Sequence, residues 1–187
     1  MRTLTICLIG YAGFFRYDEL AKLKETDTNF YEEHMEIFIE SSKTDQFRDG
    51  AAWVVIAQTG TKLCPVAMLE RYIALGKIDG DPNKFLFRGL CVTKTGARLR
   101  SSGSLSYIRA RELVLEMLTA IGLDKKHFGL HSLRSGGASA AANSGIADRF
   151  FKRHGRWRSE NAKDGYVKDS LDERLKVSRG LGLSDAA

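Results

Sequence analysis

A chain of 187 residues with 43% hydrophobic residues, 28% charged residues and two prolines has the makings of one globular domain with a real core. That excludes a disordered tail, a collagen-like chain and a disulfide scaffold. Net charge is +6 and unevenly spread: residues 1–93 hold 11 Lys/Arg against 13 Asp/Glu, while residues 94–187 hold 18 against 10, so the basic C-terminal half points to a polyanion, nucleic acid before a membrane surface.

The opening stretch TLTICLIGYAGFF follows Met1 and Arg2 and imitates a signal peptide. At roughly twelve residues it is too short to span a bilayer. It runs on into FFRYDELAKLK, where Leu20 and Leu23 continue the helical spacing, so it reads as a buried helix rather than a targeting segment. In HMEIFIE, Met35, Ile37 and Ile39 alternate with Glu36, Phe38 and Glu40, the period of a strand; SSKTDQFRDG then reads as a turn, and AAWVVIAQ as the returning strand of a hairpin with Lys43 near its bend. Pro65 suits the first turn of a helix whose core face is expected to hold Ala67, Leu69, Tyr72, Ile73 and Leu75.

KFLFRGL is a brief strand or turn, and TKTGARLRSSGSLS reads as the longest loop, a connection suited to a nucleic-acid surface. A helix is expected from Ser104 to Ile121, with Ile108, Leu113, Leu115 and Leu118 as its apolar residues. HSLRSGGASAAANSG is a small-residue helix ended by Gly145, built for close approach to another helix. IADRFFKRHG, SENAKDGYVKDS and LDERLKVS complete a mostly helical second half. The fold class is therefore mainly α (α+β), with a small antiparallel sheet in the N-terminal half. Cys7, Cys64 and Cys91 are far apart and form no C-x-x-C pair, which encodes neither a disulfide framework nor a zinc site and suits a reducing, intracellular setting.

Seven polar or aromatic residues stand out: Arg16, Lys43, His131, Arg134, His154, Trp157 and Tyr166. Each has a plain structural account. Arg16 can pair with Glu19 on one helical face, His131 can cap its helix beside a surface Arg134, Lys43 can be solvated in its turn, and Tyr166 can be a buried tyrosine with a bonded hydroxyl. Together they form an inventory for phosphoryl transfer without a metal or other cofactor. Two guanidiniums can neutralise non-bridging oxygens, a tyrosine can attack in line, and a lysine and a histidine can move protons.

On these residues the chain resembles the tyrosine recombinase, or phage integrase, family. FFRYDEL is similar to its first-arginine box, HSLRSGGASAAANSG to its H-x-L-R box with Gly145 eleven residues after the arginine, and DGYVKDS to its tyrosine box. The run from FGLHSLRSGG through HGRWRSENAKDGY most resembles the crypton-type recombinases of eukaryotic mobile elements. The resemblance implies a DNA breaking-rejoining fold and a site-specific recombinase or integrase activity through a 3′-phosphotyrosyl intermediate. Arg16 and Arg134 would clamp the scissile phosphate, His131 would handle a proton, Tyr166 would be the nucleophile, and Lys43 would protonate the leaving 5′ oxygen. Glu19 falls on a supporting acidic position. The slot nine residues before the tyrosine falls on Trp157, whose indole N–H can donate to a phosphate oxygen; His154, twelve before it, is left as a supporting DNA-contact or structural residue.

The partners so implied are double-stranded DNA and further copies of the chain in a dimeric or tetrameric synapse, with no membrane, and the location would be nuclear if the source is eukaryotic. Family members carry an N-terminal core-binding domain, for which the residues before Arg16 leave no room, so residues 1–187 are expected to be the catalytic domain with that domain absent. Two rivals remain at this point: a type IB topoisomerase, which shares the chemistry, and a non-catalytic DNA-binding module derived from a recombinase.

Overall fold

A first helix as apolar as this one needs cover on several sides. In the computed structural model, which describes residues 1–40, 52–94 and 96–181, α1 (Arg2–Ala12) lies against α3 (Pro65–Gly76), α4 (Tyr107–Ala120) and α5 (His131–Asn143). Ile6 and Ile9 are buried among Leu69, Val66 and Val114. The helix does not run on through FFRYDELAKLK as its spacing suggests. It stops before Gly13, the chain turns through Phe14 in a left-handed conformation (φ 49°), and α2 (Tyr17–Lys22) begins with Arg16 as its cap. The hydrophobic period hides this break because both phenylalanines are buried, but in different places: Phe15 enters the main core, whereas Phe14 joins a small separate cluster with Ala138, Phe151 and Trp157.

The hairpin forms in the register its alternation demands. Strand β2 (His34–Ile39) is paired antiparallel with β1 (Thr28–Phe30) on one side and β3 (Ala52–Ala57) on the other. Ile37 faces Val54 and Met35 faces Ile56 across the inner face, while Phe38 and Trp53 meet on the outer one at 5.1 Å. Lys43, expected near the bend of this hairpin, lies outside the described residues. Pro65 opens α3 as expected, but only part of the proposed face is interior: Leu69 and Tyr72 are buried, while Ala67 and Leu75 are exposed and Val66 takes the vacated place.

A second sheet was not legible. Strands β4 (Arg88–Thr93) and β5 (Gly96–Ser104) form an antiparallel pair; β4 starts within KFLFRGL, where a brief strand or turn is expected, and β5 occupies the expected long loop. Apart from half-buried Leu99, β5 is exposed throughout, so it carries no apolar alternation to read. Helix α4 starts three residues later than anticipated, after a Ser106 cap that accepts the Arg109 N–H, and turns Ile108 to solvent. Three short helices follow α5: α6 (Asp148–His154), α7 (Glu160–Asp164) and α8 (Leu171–Arg179). The architecture is mainly helical with two small antiparallel sheets. Among the described residues no helix is long and apolar enough to cross a membrane.

Candidate active site

The small cluster around Phe14 is the floor of the site, and glycine lets its walls close. A Cβ on Gly137 would stand 2.1 Å from the Tyr11 carbonyl oxygen, so only glycine lets α5 approach the end of α1 this closely. That approach carries Arg134 to the broken end of α1. Its guanidinium donates to the Phe14 carbonyl through Nη1 and to the Gly155 carbonyl through Nη2 at 2.7 Å. It lies 4.8 Å from the ring centres of both Trp157 and Tyr166 and has no exposed surface. Burial first, then the charges of Arg16 and Arg156, lower its pKa from the usual arginine value to about 10.

Arg16, capping α2, stands at the rim. Glu19 accepts its backbone N–H (2.7 Å) and pairs with its Nη1 (3.3 Å), so the pairing expected from spacing exists and fixes the guanidinium while a quarter of the side chain remains exposed. Glu19 has a second partner that the sequence did not reveal. Arg156 reaches the same carboxylate at 2.9 Å and also donates to the carbonyls of Gly13, Phe14 and His154. Arg16 and Arg156 thus share one carboxylate, and with Arg134 on the neighbouring Phe14 carbonyl the three leave an excess of positive charge suited to an anion.

Tyr166 is held by its backbone. On α5, Ser135 and Ser139 both donate to the Tyr166 carbonyl, and Ser139 accepts the Lys168 N–H at 3.0 Å. One turn on, Asn143 donates to the Lys168 carbonyl (3.0 Å) and accepts the Ser170 N–H (2.9 Å). These three residues recur every fourth position along one face of α5, as a rail on which the tyrosine segment is laid. The small residues of α5 thus serve two ends, close packing against α1 and a rail for the tyrosine segment. On the other side, Lys163 accepts the Tyr166 N–H with its carbonyl and closes its ammonium on Asp148 and Glu160. Lys152 and Lys163 together pull the Glu160 carboxyl down to about 2.

The Tyr166 hydroxyl meets His131 Nε2 at 3.0 Å. Burial, with Arg134 and Arg16 nearby, lowers the His131 pKa, so the imidazole is neutral at neutral pH and able to accept the phenolic proton. His154 stands apart from this pair: its Nε2 donates to the Ala12 carbonyl at 2.7 Å and its ring meets Phe14 edge-on at 4.7 Å. Its pKa is also lowered, chiefly by burial, and its place is structural.

The structure therefore brings Arg16, Glu19, His131, Arg134, Trp157 and Tyr166 together. Two of them differ from the expectation of direct phosphate ligands. Arg134 is wholly covered, and the Trp157 Nε1 is buried; the Arg134 Nε and Trp157 Nε1 have no hydrogen-bond partner among the described residues. The Tyr166 ring is part of that cover, so a phosphate reaches these donors only when the ring moves aside. Buried donors without partners are costly in a finished core and fit a group yet to arrive.

No family model matches the chain. Among curated proteins, it is similar to an integrase/recombinase xerD homolog of Selenomonas ruminantium, 28% identical over 167 residues, which covers 89% of this chain and 47% of that protein. Among solved structures it is similar to the XerH site-specific recombinase bound to its palindromic difH substrate in a post-cleavage complex, with a TM-score of 0.70 at 17% identity over 97% of this chain and 45% of that one. The XerA recombinase follows, with a TM-score of 0.69 at 19% identity over 95% and 56%. A lambda integrase dimer bound to a COC′ core site gives 0.58 at 16% identity over 100% and 45%. The chain spans about half the length of the relatives it matches. Its fold is that of the tyrosine recombinase catalytic domain, and in sequence it is similar to the xerD homolog along most of its own length.

Proposed function

We propose that this chain is the catalytic domain of a site-specific recombinase or integrase that breaks and rejoins DNA strands with Tyr166 as nucleophile. The observation that carries the reading is the 3.0 Å contact between the Tyr166 hydroxyl and His131, beside Arg134 and the Arg16–Glu19–Arg156 cluster. His131 Nε2 takes the phenolic proton as the tyrosine oxygen attacks the scissile phosphorus. The bond from phosphorus to the 5′ oxygen breaks, and that oxygen leaves with a proton from Lys43. Arg16 neutralises a non-bridging oxygen from the rim, and Arg134 and Trp157 join it once the Tyr166 ring has turned toward the phosphate. The energy of the phosphodiester stays in the phosphotyrosyl bond, so a 5′ hydroxyl can reverse the step with no nucleotide or metal cofactor.

The DNA-bound relatives in which this fold recurs, one of them a dimer on its core site, support double-stranded DNA as partner and self-association on it. The run from FGLHSLRSGG through HGRWRSENAKDGY supports a crypton-like branch, and with it a nuclear site of action in a eukaryote. One observation favours a second reading, a DNA-binding module without cleavage: Arg134 is sealed beneath Tyr166.

A random-sequence duplex library carrying one 5′-bridging phosphorothiolate separates the two. Sulfur leaves without a proton donor, so cleavage traps the protein on DNA. Covalent adduct with the wild-type chain and none with Tyr166→Phe is the expected result. Binding without adduct makes the chain a DNA-binding module.

A further inference from the structure

Arg156 was one basic residue among several in HGRWR, and nothing in that run distinguished it. In the fold it is the most heavily committed side chain of the segment. Its guanidinium lies 4.9 Å from the centre of the Phe15 ring and donates to three backbone carbonyls, those of Gly13, Phe14 and His154, as well as to Glu19. Only 8% of the side chain is exposed, against 3% for Glu19. Its backbone takes φ 56°, a left-handed conformation uncommon outside glycine.

What Arg156 grips decides what it does. Two of the three carbonyls, those of Gly13 and Phe14, lie in the break between α1 and α2, the turn that sets where Arg16 emerges. The carboxylate is the one that holds both the Arg16 backbone and its Nη1. The Phe14 carbonyl is shared with Arg134. Without Arg156, Glu19 would be a buried carboxylate with Arg16, a quarter exposed, as its remaining ionic partner, and free to change rotamer. Its oxygens would then no longer fix the Arg16 fork, and a fork held within a fraction of an ångström is what preorganised charge requires.

We infer that Arg156 is a positioning residue that sets the Arg16 guanidinium through Glu19. The inference rests on the proposed function. With its fork spent on protein acceptors and only 8% of the side chain exposed, Arg156 has little surface to offer DNA, so its loss acts on the rate of cleavage rather than on capture of DNA.

The test is single-turnover adduct formation by the full chain on the phosphorothiolate library, with DNA affinity read in parallel by fluorescence anisotropy. Arg156→Gln should slow adduct formation roughly 10–100-fold, the usual effect of removing a partner that orients a reactive group, with affinity changed less than about twofold. Placed on Arg16→Ala, the same substitution should cost less than about twofold, because its effect passes through the missing guanidinium. A merely structural role would slow both backgrounds alike, and that outcome overturns the inference. Arg156→Lys, which keeps the charge near Glu19 and loses the fork, should fall between wild type and Arg156→Gln. If Arg156→Gln does not fold, Arg156→Lys and Glu19→Gln carry the same cycle against Arg16→Ala. A wild-type chain that forms no adduct overturns the proposed function and this inference with it. Wild-type adduct with undiminished rates in the Arg156 variants overturns this inference alone.

Discussion

The molecule has two interiors of different construction. One, beneath α1, β2, β3 and α3, is built mainly of apolar side chains: Ile9, Met35, Ile37 and Leu69 have no exposed surface. The other, around Phe14, Ala138, Phe151 and Trp157, is small and is threaded by the guanidiniums of Arg134 and Arg156. The first is held by area removed from water, a non-directional force indifferent to modest changes in charge. The second is held by hydrogen bonds from cations to the carbonyls of Gly13, Phe14, His154 and Gly155. Such a structure is directional and fails abruptly when one partner is removed. The apolar interior keeps the fold, and the polar one keeps charge in place beneath a tyrosine.

The sharpest separation of the two should come from Tyr166→Phe. It deletes the hydroxyl that meets His131 and leaves the rings against Arg134 and Trp157 in place. Adduct should disappear, while thermal stability falls by no more than about 1 kcal/mol, the net worth of one partly exposed hydrogen bond. Because His131, Arg134 and Tyr166 of one chain already meet, mixing Tyr166→Phe with Arg16→Ala should not restore adduct. Recovery on mixing would mean that the tyrosine is supplied by another copy.

A matched pair of substitutions breaks the comparison from both sides. Ile37→Ala should destabilise by about 2–5 kcal/mol through transfer and cavity costs, with the folded fraction cleaving at the wild-type rate. Arg134→Leu should cost about as much in stability, because the Gly155 carbonyl loses its Nη2 donor, whereas the Phe14 carbonyl keeps Arg156. It should in addition slow adduct formation by roughly two to three orders of magnitude per folded molecule. Chemical denaturation with single-turnover kinetics reads both terms. Equal loss of rate in the two variants would dissolve the distinction between the interiors.

Ser139→Ala is a finer cut. Its hydroxyl both donates to the Tyr166 carbonyl and accepts the Lys168 N–H, so removal frees one rung of the rail. A loss of about 1 kcal/mol is expected. Amide exchange should quicken at Lys168 before it does in β2; unchanged exchange at Lys168 would show that Ser135 and Asn143 suffice.

The same contrast explains what could be read without the structure. Apolar patterns announce themselves through period, so the β2–β3 hairpin, the Pro65 helix and the helical second half were legible. Where burial gives no period the reading failed: β5 has one partly covered residue in nine, and the α1–α2 break falls between two phenylalanines that are both interior. Arg16, His131, Arg134, Trp157 and Tyr166 were found by chemical type, spacing and resemblance, which do not need the fold. Arg156 was not, because a basic residue in a basic run becomes distinctive only when its partners are known. The serines and asparagine of the rail were visible as a fourfold spacing in an alanine-rich helix, but their partner segment lies more than twenty residues away.

pH should divide the interiors least violently and most diagnostically. Both His131 and His154 have pKa values lowered in the fold, each chiefly by burial, His131 also by Arg134 and Arg16 and His154 by Arg156 and Arg134. The unfolded chain, with histidines near the ordinary value of about 6.5, therefore binds more protons than the folded one in the window below that value. Stability conferred by these groups is complete above the unfolded pKa and is lost as pH falls through the window down to the folded values. Thermal melts from pH 8 to pH 5 should show this decline, and His154→Asn should flatten part of it. The cleavage rate depends on His131 alone, since a protonated imidazole cannot take the phenolic proton. Its decline should follow the lowered folded pKa and so begin at more acid pH than the decline in stability, with His154→Asn leaving the rate profile where it was. A rate profile that moves with His154→Asn would place His154 in the proton transfer and return it from the floor of the site to its chemistry.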